Sequence, residues 1–261
     1  MRSIWKGHIR FSLVTIPVLV YNGVDNKGNL RFNQLYKKTG GRIKYKKFCK
    51  ISGEEVKHGD IVKGYEYEPD TYVVMTEKDF DNIRLESNRI VDVNAFVDIG
   101  EIDPIRYEHV YYLAPNGDIA LSTFALLRQA LKKSGKVGLG RIILRDREDV
   151  VVLEAREQII VMYKLRYHYE LNTVDEVPNL KTEPDPDAAQ LELADTLIQS
   201  LSKPFSEIDF TDRYREAMLS VIQDKIDGKE IVQVIEEEKE KPVIDIMDAL
   251  KRSIEEAKEK K

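Results

Sequence analysis

The stretch SIWKGHIRFSLVTIPVLVY, residues 3–21, decides the fold, because its hydrophobic residues recur with a period of two. Ile9, Phe11 and Leu13 alternate with polar residues, and β-branched residues dominate the second half. A period of two places neighbouring side chains on opposite faces of an extended chain, which predicts β-strand. Pro17 has no backbone N–H to donate, so it predicts an edge, a bend or a bulge at that point.

Further strand patterns and one helical pattern follow along the chain. The predicted strands cover residues 71–75, 89–99, 137–144, 150–155 and 158–167. In residues 120–133 the apolar residues recur with the spacing of an α-helix. The apolar face of this helix consists of Ala120, Phe124, Leu127 and Leu131. Many short strands with one inserted helix favour a barrel or a sandwich over a doubly wound sheet. The predicted fold class is therefore α+β, mainly β.

The amino-acid composition changes near Val177, where three prolines and several acids predict an extended connector. Apolar residues at helical spacing then predict two helices, over residues 187–202 and 212–227. A charged linker, residues 229–242, precedes a last amphipathic segment that begins at residue 243. The C-terminal third therefore predicts a helical appendage to the strand-rich part.

The chain is acidic overall, with a formal net charge of −5, yet its N-terminal quarter is strongly basic. Residues 1–63 contain 14 Lys/Arg and 4 Asp/Glu, and residues 26–53 contain nine cations and no acid. A second acid-free window, residues 119–145, contains six cations. Such asymmetry favours a local surface that binds a polyanion, although solvated strand and helix faces would explain an isolated cluster equally well.

The densest basic stretch is RIKYKKFCK, residues 42–50, with five cations among nine residues. Its alternation predicts a strand with a cationic face exposed and an apolar face packed. Ile43, Tyr45, Cys49 and Ile51 would form the packed face. Cations along a surface suit phosphate contacts, which carry no base sequence information.

Most enzyme and metal-site signatures are absent from the sequence. The lone Cys49 excludes an internal disulfide, and four scattered histidines make a structural zinc site improbable, so no metal and no cofactor are expected. No phosphate-binding glycine motif occurs. No apolar run approaches the ~20 residues that span a bilayer, and the opening MRSIWKGHIR lacks a secretory h-region. A cytoplasmic, nucleoid-associated location is the expectation.

These segments resemble a known family. SIWKGHIRFSLVTIPV is similar to the opening of bacterial-type Ku proteins, whose pattern is SIWKGxIxFGLVxIPV. The likeness continues, in order, through FNQL (32–35), RIKYKK (42–47), GEEV (53–56), DIVKGYEYE (60–68), FVDIGEIDPI (96–105), YYLAP (111–115), FALLRQAL (124–131), KVGLGRI (136–142), LRYHYEL (165–171), LADTLIQSLS (193–202), DRYREAML (212–219) and VIDIMDALKRSI (243–254). One departure is Ser12, which stands where the family pattern has glycine.

The resemblance implies a non-enzymatic protein that binds double-stranded DNA ends in non-homologous end joining. It implies a homodimeric ring that is threaded by the duplex and recruits a DNA ligase of the ligase D type. The implied organisation is a β-barrel core over residues 1–176 with a DNA-encircling bridge at about 25–63. A helical arm over 177–228, the linker 229–242 and a C-terminal helix over 243–261 would complete it.

The site residues predicted on this basis fall into three groups. The expected phosphate-facing cations are Arg42, Lys44, Lys46, Lys47 and Lys50, then Lys37, Lys38 and Lys63, then a second patch of Lys132, Lys133, Arg141 and Arg145. The expected ligase-recruiting stripe is Val243, Ile246, Met247, Leu250 and Ile254, with simple packing inside the chain as the alternative. The expected dimer or arm-packing anchors are Phe205, Phe210 and Tyr214, with ordinary core packing as an equal alternative for the two phenylalanines. A metal-dependent DNA-processing enzyme and an RNA-binding barrel remain the rival functions.

Overall fold

The computed structural model divides the chain into two units, Met1–Asn172 and Thr173–Lys261. The residues it describes are 1–83, 89–144, 147–178, 180, 187–228 and 246–259. Two predicted site residues, Arg145 and Val243, lie outside the described residues.

The first unit contains nine strands and two α-helices among its described residues, besides short 3₁₀ helices. The strands are β1 (Trp5–Phe11), β2 (Val14–Asn22), β3 (Lys63–Glu68), β4 (Thr71–Met75), β5 (Ile90–Asp98), β6 (Tyr107–Pro115), β7 (Lys136–Leu144), β8 (Arg147–Arg156) and β9 (Ile159–Leu165). The helices are α1 (Glu77–Ile83) and α2 (Asp118–Ser134). The second unit contains α3 (Ala188–Leu201), α4 (Arg213–Ile226) and α5 (Ile246–Glu259). The α+β class is confirmed, with helix and strand content more even than the sequence patterns predict.

Seven strands close into a barrel in the order β1-β2-β6-β9-β8-β7-β5. All neighbouring pairs are antiparallel except β1 and β5, whose parallel pairing closes the barrel. Closure satisfies the backbone groups that an open sheet would leave at its edges. The predicted strands at 89–99, 137–144, 150–155 and 158–167 are confirmed, and the barrel is the correct choice between barrel and sandwich. β3 and β4 form a separate two-stranded sheet.

The barrel interior and one face of α2 share a single hydrophobic core. Alternate residues of β1 and β2 point inward, and Ile9, Ile16 and Val18 are fully buried. The four apolar residues that the sequence assigns to one helical face are buried in the same cluster, namely Ala120, Phe124, Leu127 and Leu131. Burial of these faces is the main source of stability for the unit.

Two backbone features of the barrel depend on particular residues. Ser12 and Leu13 form the two-residue turn between β1 and β2, and Ser12 has φ 51°. A positive φ at the first turn position is the type II′ pattern, which favours glycine. At Gly140 on β7, an added Cβ would lie 2.5 Å from the carbonyl oxygen of Asp92 on β5. This close approach therefore requires glycine.

The strand registers define two ends of the barrel. We call one the insertion end, where β2, β7 and β9 finish and β1, β5, β6 and β8 begin. Residues 23–89 leave this end after β2 and return to it at β5. α2 connects the end of β6 to the start of β7, so both of its connections are at the opposite end.

In the second unit, α3 and α5 pack against each other. Ile254 of α5 is buried, with 8% of its surface exposed. Among the described residues, no helix is long and apolar enough to cross a membrane.

Candidate nucleic-acid interface

The basic segment, residues 23–62, connects β2 to β3 and is held by local turns. In the first turn the Tyr36 N–H donates to the Gly41 carbonyl at 2.8 Å, and the Ile43 N–H donates to the Gln34 carbonyl at 3.0 Å. The tip of this turn comprises residues 36–41, so it presents Lys37 and Lys38 to solvent.

A second turn in the basic segment carries Lys50 and the only cysteine. The Cys49 N–H donates to the Glu54 carbonyl at 2.9 Å, and the Val56 N–H donates to the Lys47 carbonyl at 2.8 Å. Hydrogen bonds to the thiol from the Ser52 N–H, then from its hydroxyl and from the Ile51 N–H, lower the pKa of Cys49. These bonds fix the turn and leave Lys50 exposed at it.

The prediction of a strand with a packed apolar face over residues 42–50 is wrong. The segment makes only isolated bridges, between Leu35 and Arg42 and between Phe48 and Glu55. Its apolar side chains are exposed: Ile43 by 44%, Tyr45 by 76% and Ile51 by 97%. Alternation predicts which side chains share a face, but burial also needs a second layer. No described residue of the first unit buries this face.

All of the predicted cations in the basic segment are exposed, but they differ in their partners. Lys46 Nζ lies 2.6 Å from Glu55 Oε2, which already neutralises its charge. The Nζ atom of Lys63, at the start of β3, lies 4.6 Å from the ring centroid of Phe80 in a cation–π contact. Arg42, Lys44 and Lys47 lie on the exposed strand-like stretch between the two turns. Lys37, Lys38 and Lys50, at the two turns, are likewise exposed.

The predicted second patch is not brought together in the structure. Lys132 and Lys133 are exposed at the end of α2, next to the start of β7 at the opposite end of the barrel. Arg141 lies five residues along β7 from Lys136, about 17 Å of strand, toward the insertion end. Its guanidinium is also 2.8 Å from Glu148. The grouping of Arg141 with Lys132 and Lys133 was based on their proximity in sequence, but β7 extends away from the end of α2, so Arg141 lies far from the two lysines.

The predicted apolar sites lie in the second unit. Phe205 and Phe210 pack together with ring centroids 5.0 Å apart and are 78% and 71% exposed, while Tyr214 is 74% exposed. On α5, Met247 and Leu250 are half-buried and Ile254 is buried, whereas the side chain of Ile246 is among those not described. The packing of α5 on α3 favours the intramolecular alternative for this stripe.

One surface that the sequence analysis did not single out is the β3–β4 sheet. Tyr65 and Tyr67 are 65% and 59% exposed on one face, and Tyr72 and Val74 are 56% and 53% exposed on the other. Both faces are therefore apolar and uncovered. The signal was present in the alternation of GYEYE, residues 64–68, with TYVVM, residues 71–75.

Among the residues that the structure describes, no group of three or more His, Cys, Asp or Glu side chains is arranged to hold a metal ion.

Comparisons with known proteins agree on one family. The model of the Ku70/Ku80 beta-barrel domain matches residues 10–193. A protein named "Non-homologous end joining protein Ku" from Archaeoglobus fulgidus is 37% identical over 99% of this chain and 100% of its own length. A protein of the same name from Bacillus subtilis is 34% identical over 97% of this chain and 82% of its own length.

The chain covers only 63% of a third relative with that name, from Symbiobacterium thermophilum, at 37% identity over 97% of this chain. Among solved structures, the SPOC domain of human PHD-finger protein 3 matches 63% of this chain and 97% of its own, with 11% identity and a TM-score of 0.32, which is too distant to interpret. The family model covers most of the chain, and the relatives match almost all of it. The chain therefore belongs to the Ku family.

Proposed function

We propose that this protein binds the ends of double-stranded DNA, without regard to sequence and without catalysis, in double-strand break repair by non-homologous end joining. The basic segment is the observation that carries the proposal. Nine cations lie between residues 26 and 53 with no acid among them, and all nine are exposed. The names of the relatives associate this family with end joining.

The arrangement of the cations supports backbone contacts rather than base reading. Phosphate contacts position a protein on a duplex and carry no direct sequence information. The cations lie on turns and irregular chain, whereas base readout in the major groove requires an inserted helix or β-ribbon. The remainder of the chain, residues 64–261, has 27 Lys/Arg and 42 Asp/Glu, so its net charge disfavours DNA binding outside the cationic parts of the surface.

A homodimeric ring forms part of the proposal. An isolated two-stranded sheet is marginal in water, yet β3 and β4 expose apolar side chains on both faces. The second unit exposes Phe205, Phe210 and Tyr214 as well. Contiguous exposed apolar surface marks an interaction site. A second copy of the chain supplies matching surfaces under two-fold symmetry, and two basic segments then surround a duplex from both sides.

Recruitment of a DNA ligase of the ligase D type is the least supported part of the proposal and rests on family resemblance. The apolar stripe of α5 is partly covered by α3. A ligase that uses this stripe must displace α3 or bind an exposed edge of the pair.

The test compares three DNA substrates of the same sequence: a linear duplex, a closed circle, and the linear duplex with bulky blocks on both ends. End binding by a ring predicts binding to the free linear duplex only, with discrete additional complexes as the duplex is lengthened. If six to ten phosphates are contacted, log K falls with log salt at a slope of about −5 to −9. Equal binding to all three substrates would reject a threaded ring. Preference for a folded RNA would favour the RNA-binding rival, and loss of DNA in magnesium would favour the nuclease.

A further inference from the structure

A cavity of about 820 Å³ with a mixed polar and apolar lining opens at the insertion end of the barrel. Its lining includes the aromatic rings of Trp5 and Tyr111 and the charged side chains of Asp149, Lys164 and Arg147. Small-molecule sites commonly occupy the mouths of barrels and have volumes of about 300–1,000 Å³. The cavity is therefore large enough for a nucleotide-sized ligand.

The charged layer of this cavity points into the barrel. Asp149 lies on the same face of β8 as Val151 and Leu153, which are both in the core. Lys164 likewise lies on the same face of β9 as the buried Met162. Because side chains of a strand alternate between faces, Asp149 and Lys164 lie directly above the hydrophobic core.

Asp149 is buried but its hydrogen-bonding capacity is incompletely used. Only 4% of its surface is exposed. Its Oδ1 atom lies 3.2 Å from Arg147 Nε and 3.2 Å from Lys164 Nζ, so it forms two ion pairs, but neither contact has the alignment of a good hydrogen bond. Buried carboxylate oxygens almost always have a donor, so this atom marks a position where a ligand donor is favourable.

The cations beside Asp149 restrict the chemistry of that ligand. Lys164 Nζ also lies 3.2 Å from Glu108 Oε2. Burial opposes the charge on Lys164, but Asp149 and Glu108 outweigh it and raise its pKa. Arg147 is shared as well, since its Nη2 atom lies 2.6 Å from Glu170 Oε1, so both cations and the three carboxylates of this layer are already engaged in ion pairs. A ligand that carries a hydrogen-bond donor for Asp149 and an anionic group that shares Arg147 with Glu170 matches this layer better than a simple ion does.

We propose that the cavity binds a nucleotide whose base carries an exocyclic amino group. The base stacks on Trp5 or Tyr111, its amino group donates to Asp149 Oδ1, and its phosphate lies at Arg147, whose side chain is 44% exposed at the rim. The nucleotide is either free or the unpaired last nucleotide of a DNA strand. This site goes beyond end binding by the basic segment and does not depend on it.

Trp5 is the only tryptophan in the chain, so its fluorescence reports directly on the cavity. The full chain is titrated with dAMP, dCMP, dGMP and dTMP. We expect saturable quenching by the first three and weaker binding of dTMP, which has no exocyclic amino group. Asp149→Asn should weaken the first three by about tenfold and leave dTMP unchanged, because the amino group of the base then donates to a neutral amide oxygen instead of a charged carboxylate.

A second variant covers the case in which Asp149→Asn fails to fold. Val24 lies at the cavity rim and is 50% exposed, so Val24→Phe narrows the mouth without altering a buried charge. It should weaken all four nucleotides. Non-saturating quenching that is equal for all nucleotides, or full affinity in Val24→Phe, would overturn the proposal.

Two DNA substrates distinguish the sources of the nucleotide. A duplex with one unpaired terminal nucleotide is compared with the same duplex made blunt. If the duplex with the unpaired nucleotide quenches Trp5 fluorescence more than the blunt duplex, and Val24→Phe removes this difference, the site binds a strand end. Saturation by mononucleotides with no difference between the duplexes assigns it to a free nucleotide. Absence of both responses would reject the site, whether or not the protein binds DNA ends.

Discussion

The barrel and the basic segment are parts of one unit with opposite physical properties. Each of the seven strands of the barrel contributes buried residues to the core, and several of these have 0% exposure. The basic segment has no buried residue, and apart from Gly23, whose N–H donates to the Val110 carbonyl of β6, its backbone hydrogen bonds join residues close in sequence. Hydrophobic burial is the dominant favourable term in folding. The comparison indicates that the barrel supplies the stability, while the proposed role of the basic segment rests on its exposed charge.

The strongest test of this division is a truncation in the barrel core. Leu153, 1% exposed on β8, is packed in the core cluster. Leu153→Ala should lower the free energy of unfolding by about 2–5 kcal/mol, because it removes buried methyl groups and leaves a cavity. Urea unfolding followed by circular dichroism measures the change.

The matched control is Ile51→Ala in the basic segment, where the side chain is 97% exposed. It should change stability by less than about 0.5 kcal/mol. A large loss in this control would mean that the segment contributes to the core after all, and the division would fail.

The second test removes charge from the basic segment. A triple variant, Arg42→Gln, Lys44→Gln and Lys47→Gln, should weaken binding to a linear duplex by about 10- to 100-fold. The slope of log K against log salt concentration should become less negative by up to about three. Titrations at several salt concentrations measure both quantities, and the unfolding free energy should stay within about 0.5 kcal/mol.

A control must distinguish the effect of the lower net charge on DNA affinity from the effect of the positions of the three cations. Lys203, Arg213 and Lys225 are exposed cations of the second unit, and their joint change to glutamine gives the same net charge. This control should retain nearly all of the affinity. Equal losses in the two triple variants would show that only the overall charge matters.

The third test uses glycines, which are required in one region and dispensable in the other. Gly140→Ala places a Cβ 2.5 Å from the Asp92 carbonyl oxygen, so β5 and β7 must separate. We expect a loss of about 1–3 kcal/mol in the free energy of unfolding. Gly28→Ala in the basic segment meets no atom within 4 Å and should change stability by less than about 1 kcal/mol. Equal thermal midpoints for the two variants would contradict the assigned close approach.

The same contrast explains which features were predictable from the sequence. Periodicity identified α2 and the strands of the barrel because each buries one face, and burial imposes a period. In the basic segment the alternation of Ile43 and Tyr45 predicted a packed face that does not exist, since no second layer covers it. The cations were identified from composition, but the sequence could not show that Glu55 pairs with Lys46 or that β7 carries Arg141 away from Lys132. These relations depend on turns and registers that a linear pattern does not encode.

The smallest expected effect concerns the turn between β1 and β2. Ser12 has φ 51°, a conformation that costs an L-residue about 1–2 kcal/mol and that glycine adopts freely. Ser12→Gly should therefore stabilise the barrel by about 0.5–1 kcal/mol, since the greater freedom of glycine in the unfolded chain offsets part of the gain. Ser52→Gly in the basic segment is the control, because Ser52 has no positive φ and its hydroxyl contacts the Cys49 thiol. A stabilisation of both variants, or of neither, would mean that the turn is not strained in solution. Stabilisation of Ser12→Gly alone would place the strain at the β1–β2 turn, where the family pattern has glycine.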